Sequence, residues 1–220
     1  MYCACSQANG SAAIIWRKWA SRTMRVIAGT YRSRILESLK GMTLRPTSDR
    51  LRETLFNVLG PDVAGSRFID LFAGTGAVGI EALSRGAEEV VFVENHAPAA
   101  TLIRRNLESL EVRKGATVLA SDALRGLQTV ASRPKGRARR YDYIFLDPPY
   151  SAANEYARVL EFLGSAELLA PGGVVVAEHR RDFDLPQEVG SLCRFRVLRQ
   201  GDAALSFYRC GAAQEKNSAQ

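Results

Sequence analysis

Beyond residue 65 the apolar positions of the chain fall into short runs separated by longer, periodic stretches. Segments 67–71, 89–94, 117–120, 141–146 and 174–178 are rich in Val, Ile, Leu and Phe, several of them apolar on both faces, which is the pattern of strands buried in a parallel sheet. The intervening segments 78–84, 97–110, 123–130 and 154–163 have the length and spacing of helices. Strand alternating with helix predicts right-handed crossovers and an α/β, doubly wound Rossmann-like sheet over residues 61–210. Segments 195–199 and 204–209 flank Gln200-Gly201-Asp202 and predict a closing antiparallel hairpin.

The amino-terminal part has a different rhythm. Short β-like runs at 25–28 and 34–36 surround Gly29-Thr30-Tyr31 and predict a small hairpin. Arg45-Pro46-Thr47-Ser48-Asp49 reads as a turn into a helix N-cap, after which Leu51, Leu55, Phe56, Val58 and Leu59 follow at helical spacing until Gly60-Pro61 stops them. Residues 24–60 are therefore expected to form a basic hairpin-and-helix extension. Residues 1–23, which precede a second methionine, Met24, read as a disordered leader, and 211–220 as a disordered tail.

Composition narrows the class. With 220 residues, 46% hydrophobic and 24% charged, the chain can bury a substantial core, which excludes disordered and fibrous proteins and leaves room for one catalytic domain with an extension. No apolar run approaches the ~18 residues of a membrane span, so no membrane partner is expected. Cys3, Cys5, Cys193 and Cys210 are few and lack CxxC spacing, so neither a disulfide framework nor a zinc site is indicated and a reducing cytoplasm fits. A monomer is expected.

Charge is distributed unevenly. Residues 1–52 carry ten Lys or Arg against two acids, Glu37 and Asp49, a balance of +8, whereas residues 53–220 are nearly neutral. A neutral domain with a basic arm points to a polyanionic partner, because Lys and Arg neutralise phosphates and release condensed counterions. A second basic stretch, 133–140, reads first as a solvated loop.

The chemistry sits at strand ends. Asp70-Leu71-Phe72-Ala73-Gly74-Thr75-Gly76-Ala77-Val78-Gly79 closes the first strand of the sheet, and Gly74, Gly76 and Gly79 satisfy G-x-G-x-x-G, a turn where backbone approaches a nucleotide-like ligand. A carboxylate beside that turn opposes a pyrophosphate and suits a ligand bearing an ammonium and a sulfonium, which favours S-adenosylmethionine over a dinucleotide. Glu94 ends the next strand, placed to accept from ribose hydroxyls, a feature both cofactors need. Asp122 follows the third strand, where an adenine contact and a plain N-cap explain it equally well.

Asp147-Pro148-Pro149-Tyr150 follows the strand 141–146 and is the most specific motif. Two prolines stop the strand and remove backbone donors, leaving the Asp147 carboxylate and the Pro148 carbonyl as acceptors for an NH₂ group. An exocyclic base amine held by both hydrogens turns its lone pair toward an electrophile, and Tyr150 offers a face for an extruded base.

These motifs, with Met24-Arg25-Val26-Ile27-Ala28-Gly29, the run from Leu44 to Leu59 and Glu81-Ala82-Leu83-Ser84-Arg85-Gly86-Ala87, resemble the RsmD-type methyltransferases of the class I S-adenosylmethionine-dependent superfamily. The resemblance spans residues 24–208. It implies a seven-stranded sheet whose last pair is antiparallel, and methylation of the N2 amine of one guanine in 16S ribosomal RNA, free or within the small ribosomal subunit. It implies that Asp70 and Gly74 to Gly76 face the methionine part of the cofactor, Glu94 the ribose and Asp122 the adenine, with Phe72, Thr75, Asn95 and Ala123 completing the set. Asp147, Pro148, Pro149 and Tyr150 are the expected catalytic residues, and Arg25, Arg32, Arg34, Arg45, Thr47, Arg50 and Arg52 the expected RNA contacts. No metal is needed. Two alternatives stay open: an amino-methyltransferase acting on adenine or cytosine in DNA or another RNA, and a non-catalytic RNA-binding assembly factor.

Overall fold

The computed structural model describes residues 24–38, 49–134, 140–149 and 152–211. The expected leader, most of the tail, Arg45, Thr47, Tyr150 and the middle of the basic loop lie outside the described residues.

Helix α1 (Asp49–Leu59) runs into a 3-10 turn at Gly60–Val63. There follow β1 (Arg67–Leu71), α2 (Ala77–Ser84), β2 (Glu89–Glu94), α3 (Ala97–Ser109), β3 (Ala116–Ala120), α4 (Ala123–Ala131), β4 (Tyr141–Leu146) and α5 (Asn154–Ser165). The chain closes with β5 (Leu169–Arg180), β6 (Glu188–Val189), β7 (Leu192–Gln200) and β8 (Ala203–Cys210). All belong to one sheet ordered β3-β2-β1-β4-β5-β8-β7-β6. The first five strands are parallel, and β8, β7 and β6 are antiparallel additions.

Among the described residues the sheet has eight strands rather than seven. The extra one is β6, two residues that pair with β7 as Glu188 with Cys193 and Val189 with Leu192, too short to register as an alternating pattern in the sequence. The expected hairpin at 25–36 also differs: it makes a single antiparallel bridge, Arg25 with Ile35. Its two arms are joined by backbone hydrogen bonds from the Val26 amide to the Arg34 carbonyl at 3.0 Å, from Ser33 to Val26 at 2.9 Å and from Leu36 to Met24 at 2.9 Å, and other backbone groups are held, as described below, by α2 and α3.

Alternation along β1 explains the layers. Phe68 joins an apolar layer with Phe92, Ile80, Phe145 and Phe207, while Ile69 and Leu71 join the opposite layer with Val91, Val93, Leu127 and Leu160. Every residue of β1 is buried, as expected for a central strand covered on both faces. Met24, Val26 and Leu36 belong to the first layer together with Leu51, Leu55, Phe56 and Leu59 of α1. The amino-terminal segment is therefore packed into the core, its charge facing outward. No helix among the described residues is long and apolar enough to cross a membrane.

Candidate active site

The turn after β1 is built from backbone that few residues adopt. Phe72, Gly74 and Gly76 have φ of 59°, 54° and 78°, the left-handed region where glycine carries no Cβ penalty. Gly76 is the N-cap of α2 and has no side chain to cap it. Asp70 supplies the missing acceptor from the strand: its Oδ2 accepts from the Gly79 amide at 2.8 Å. Gly79 itself admits no larger residue, since a Cβ there would lie 2.3 Å from Cε1 of Phe92. The third glycine of the motif thus sets how closely α2 lies on β2.

Glu94 at the end of β2 joins two loops. Its Oε2 accepts from the Gly74 amide and its Oε1 from the His96 amide, both at 2.8 Å. Asp122 is the N-cap of α4, with Oδ1 accepting from the Arg125 amide at 3.1 Å, so the capping role is realised and its second oxygen faces Arg125 in an exposed ion pair. Register fixes the common level of these groups: Leu71 pairs with Val93 and with Leu146, and Glu94 with Ala120. Asp147 follows Leu146 at that edge, half-buried, with Pro148 buried and Pro149 exposed. The Pro149 carbonyl accepts from the Ala152 amide at 2.7 Å, turning the chain toward α5.

Burial also changes the charge beside the turn. Burial, reinforced by the nearby Glu94 carboxylate and partly offset by the Gly79 hydrogen bond, pushes the Asp70 carboxyl up to about 8. Held in this way, the Asp70 carboxyl is neutral near pH 7 and serves the turn as the acceptor of the Gly79 amide rather than as a charge. Phe72 and Gly74 are the half-buried positions at which a ligand can approach the turn, Ala73, Thr75 and Gly76 being buried.

Behind this turn lies machinery that sequence reading missed. Asn106 of α3 is fully buried and touches both the 72–76 turn and Glu37, and the Thr75 hydroxyl donates to Met24 Sδ at 3.2 Å. Glu81 of α2, also fully buried, accepts from the amides of Ile27 at 2.8 Å and Ala28 at 3.0 Å. The Ser84 hydroxyl accepts from Tyr31 and its carbonyl from Thr30. Gly29, at φ 79°, lies so close that a Cβ would fall 1.8 Å from the Ser84 carbonyl oxygen. The sequence signal for Asn106 was its place on the apolar face of α3 with Ala99, Leu102, Ile103 and Leu107, where a polar residue needs a partner.

Of the expected RNA contacts, Arg25, Arg32, Arg34 and Arg50 are exposed, with Arg34 Nη2 donating to the Ser109 carbonyl at 2.8 Å. Arg52 is a correction: it is fully buried and cannot reach a phosphate. Its Nη2 donates to the Arg25 carbonyl at 2.5 Å and to Asp49 at 3.1 Å, and its Nε stands 3.7 Å from Glu81. The spacing of 52, 55, 56 and 59 puts it on the buried stripe of α1.

A parallel sheet in this order, with a glycine turn, two successive strand-end carboxylates and an Asp-Pro-Pro turn along one edge, defines the fold and site of an S-adenosylmethionine-dependent methyltransferase. The model of the family described as conserved hypothetical protein 95 matches residues 24–209, and the chain belongs to that family, the RsmD family of methyltransferases. YlbH of Bacillus subtilis, provisionally named an rRNA methyltransferase, is 40% identical over 84% of this chain and 98% of its own length. Ribosomal RNA small subunit methyltransferase D of Haemophilus influenzae is 36% identical over 76% of this chain and 83% of its own. The solved structure of yhhF from Escherichia coli, provisionally titled a methyltransferase, superposes with a TM-score of 0.73 at 28% identity, covering 86% of this chain and 98% of that one.

Proposed function

We propose that this enzyme methylates the exocyclic N2 amine of a guanine in 16S ribosomal RNA. The observation that carries the reading is the pairing of Leu71 with Leu146, which sets Asp147-Pro148-Pro149 directly beside the glycine turn. An amine acceptor and a cofactor turn on adjacent strand ends are what direct transfer requires. The relatives named for ribosomal RNA supply the substrate class.

When bound, S-adenosylmethionine supplies a methyl group on a sulfonium and leaves as S-adenosylhomocysteine. In this reading Asp70 and the turn containing Phe72, Gly74, Thr75 and Gly76 line its methionine part, Glu94 and Asn95 its ribose, and Asp122 and Ala123 its adenine. The Asp147 carboxylate and Pro148 carbonyl hold the two amine hydrogens, and Pro149 keeps that turn rigid. Held so, the nitrogen lone pair would be aimed at the methyl carbon of the bound cofactor, and Asp147 or water would take the proton that the methylated amine gives up. Tyr150 stacks the extruded base. Arg25, Arg32, Arg34, Arg45, Thr47 and Arg50 hold the RNA backbone.

The deciding experiment supplies methyl-labelled cofactor with unmethylated 16S RNA, both free and in small subunits, followed by nuclease digestion and mass spectrometry. Label recovered as N2-methylguanosine at one position supports the reading. Label on adenine or cytosine, or no transfer to either substrate, overturns it.

A further inference from the structure

The antiparallel wing carries a surface that the site above leaves unused. Strands β7 and β8 pair Arg194 with Tyr208 and Arg196 with Phe207, so Phe195 is the extra residue of a bulge. Bulges re-aim a side chain relative to the ladder. Phe195 stays 45% exposed, its ring centroid 6.2 Å from that of buried Phe207, and the Arg209 guanidinium carbon stands 5.0 Å from the Phe195 centroid. Arg196, next in the chain, is exposed and shares a face with its cross-strand partner Phe207. Phe207 belongs to the same apolar layer as Met24, Val26 and Leu36. The ring, the two cations and the basic amino-terminal segment therefore lie on one side of the sheet.

An aromatic ring left in water beside two guanidinium groups combines the two elements of single-strand recognition, a flat face for a base and charge for its flanking phosphates. We propose that Phe195, Arg196 and Arg209 form a second RNA contact, in which an unpaired base of the substrate stacks on Phe195. Charge argues for RNA over a protein partner: on the Phe195 face, strands Leu192–Gln200 and Ala203–Cys210 present Arg196 and Arg209 and no acid, while Arg194 and Arg199 alternate to the other face, where Arg194 pairs with Asp184 at 3.0 Å. Register sets the reach. Phe207 pairs with Val176 and Val176 with Phe145, two residues short of Asp147. Strand spacing and rise then separate Phe195 from Asp147 by roughly 15 Å in the plane of the sheet. The contact therefore belongs to a nucleotide flanking the one that is methylated.

This inference rests on an RNA substrate but not on which base is modified. The test titrates wild type and variants into a fluorescently labelled, mixed-sequence single-stranded RNA and into a 16S RNA transcript, following anisotropy at several salt concentrations. Phe195→Ala should weaken binding about tenfold or more, Phe195→Tyr should retain it, and the double variant Arg196→Ala, Arg209→Ala should flatten the log K against log salt slope by about 1.4. Affinity for S-adenosylhomocysteine, measured by calorimetry, and the melting temperature should stay unchanged in the arginine variant, whose side chains are exposed. Wild-type affinity and slope in both Phe195→Ala and the arginine variant would overturn the inference, as would RNA binding unchanged alongside lost self-association in sedimentation. Phe195-dependent RNA binding without transfer to 16S RNA sinks the proposed function alone. Transfer to 16S RNA that is indifferent to Phe195 and to the arginines sinks this inference alone.

Discussion

The Asn106 amide donates to the Thr75 carbonyl at 3.2 Å while pairing with both backbone groups of Glu37, accepting from its amide at 2.8 Å and donating to its carbonyl at 3.2 Å. One buried side chain thus spans the glycine turn and the far end of the amino-terminal segment. With the Met24 contact to the Thr75 hydroxyl, that segment is fastened to one residue of the turn at both of its ends.

Replacing Asn106 with Ala takes the donor from the buried Thr75 carbonyl, a loss of about 1–3 kcal/mol, and leaves the amide and carbonyl of the exposed Glu37 to water. The melting temperature should fall, and the affinity for S-adenosylhomocysteine by calorimetry should fall about tenfold. Single-turnover transfer at saturating cofactor should change by only a few fold. A variant that loses stability alone, with cofactor affinity intact, would show that Asn106 does not position the turn.

Asp70 sets a pH dependence. Its carboxyl titrates at about 8 in the folded chain against an ordinary 3.8. Between those values the folded chain keeps a proton that the unfolded chain has released, so the stabilisation is complete below about pH 4 and is lost as pH rises through about 8. Melting temperatures from pH 5 to 9 should decline in wild type with a slope that Asp70→Asn reduces.

Arg52 and Arg32 should part company. Removing Arg52 takes the buried cation from between Glu81, Asp49 and the Arg25 carbonyl, and breaking one side of a buried ion pair costs about 3–5 kcal/mol. Arg52→Ala should lower the melting temperature markedly. Arg32→Ala, at an exposed position, should leave it unchanged and instead reduce the salt dependence of RNA binding. Thermal unfolding and salt titrations on the same two proteins decide this.

Asp147 should act on the chemical step. Asp147→Ala should slow single-turnover transfer by roughly 10²-fold with cofactor affinity largely kept. Full activity in that variant would remove the carboxylate from the reaction.

The parallel core was legible because its strands are uniformly apolar and punctuated by the glycine turn, Glu94 and Asp147-Pro148-Pro149. What escaped was anything decided by contacts distant in sequence. Charge counting marks residues 24–38 as an arm, yet Met24, Val26 and Leu36 are core, and the side chains that hold the segment's backbone, Glu81, Ser84 and Asn106, lie 53 to 69 positions further along the chain. Arg52 was misread for a related reason: a basic side chain in a basic region looks like a phosphate contact until the stripe it occupies is counted with Leu55, Phe56 and Leu59. β6 escaped because two residues have no periodicity.

The order of the sheet also bears on biosynthesis. β8, the last-made of the described strands, lies between β5 and β7, and β7 reaches the parallel sheet only through it. While the chain is still emerging from the ribosome, β5 therefore has an open edge, and β7 has only the two residues of β6 to pair with. Such an unpaired edge is a template for other chains. A nascent chain stalled near residue 200 should accordingly be far more prone to aggregate than its small loss of length implies, and the wing closes only when residues 203–210 are released.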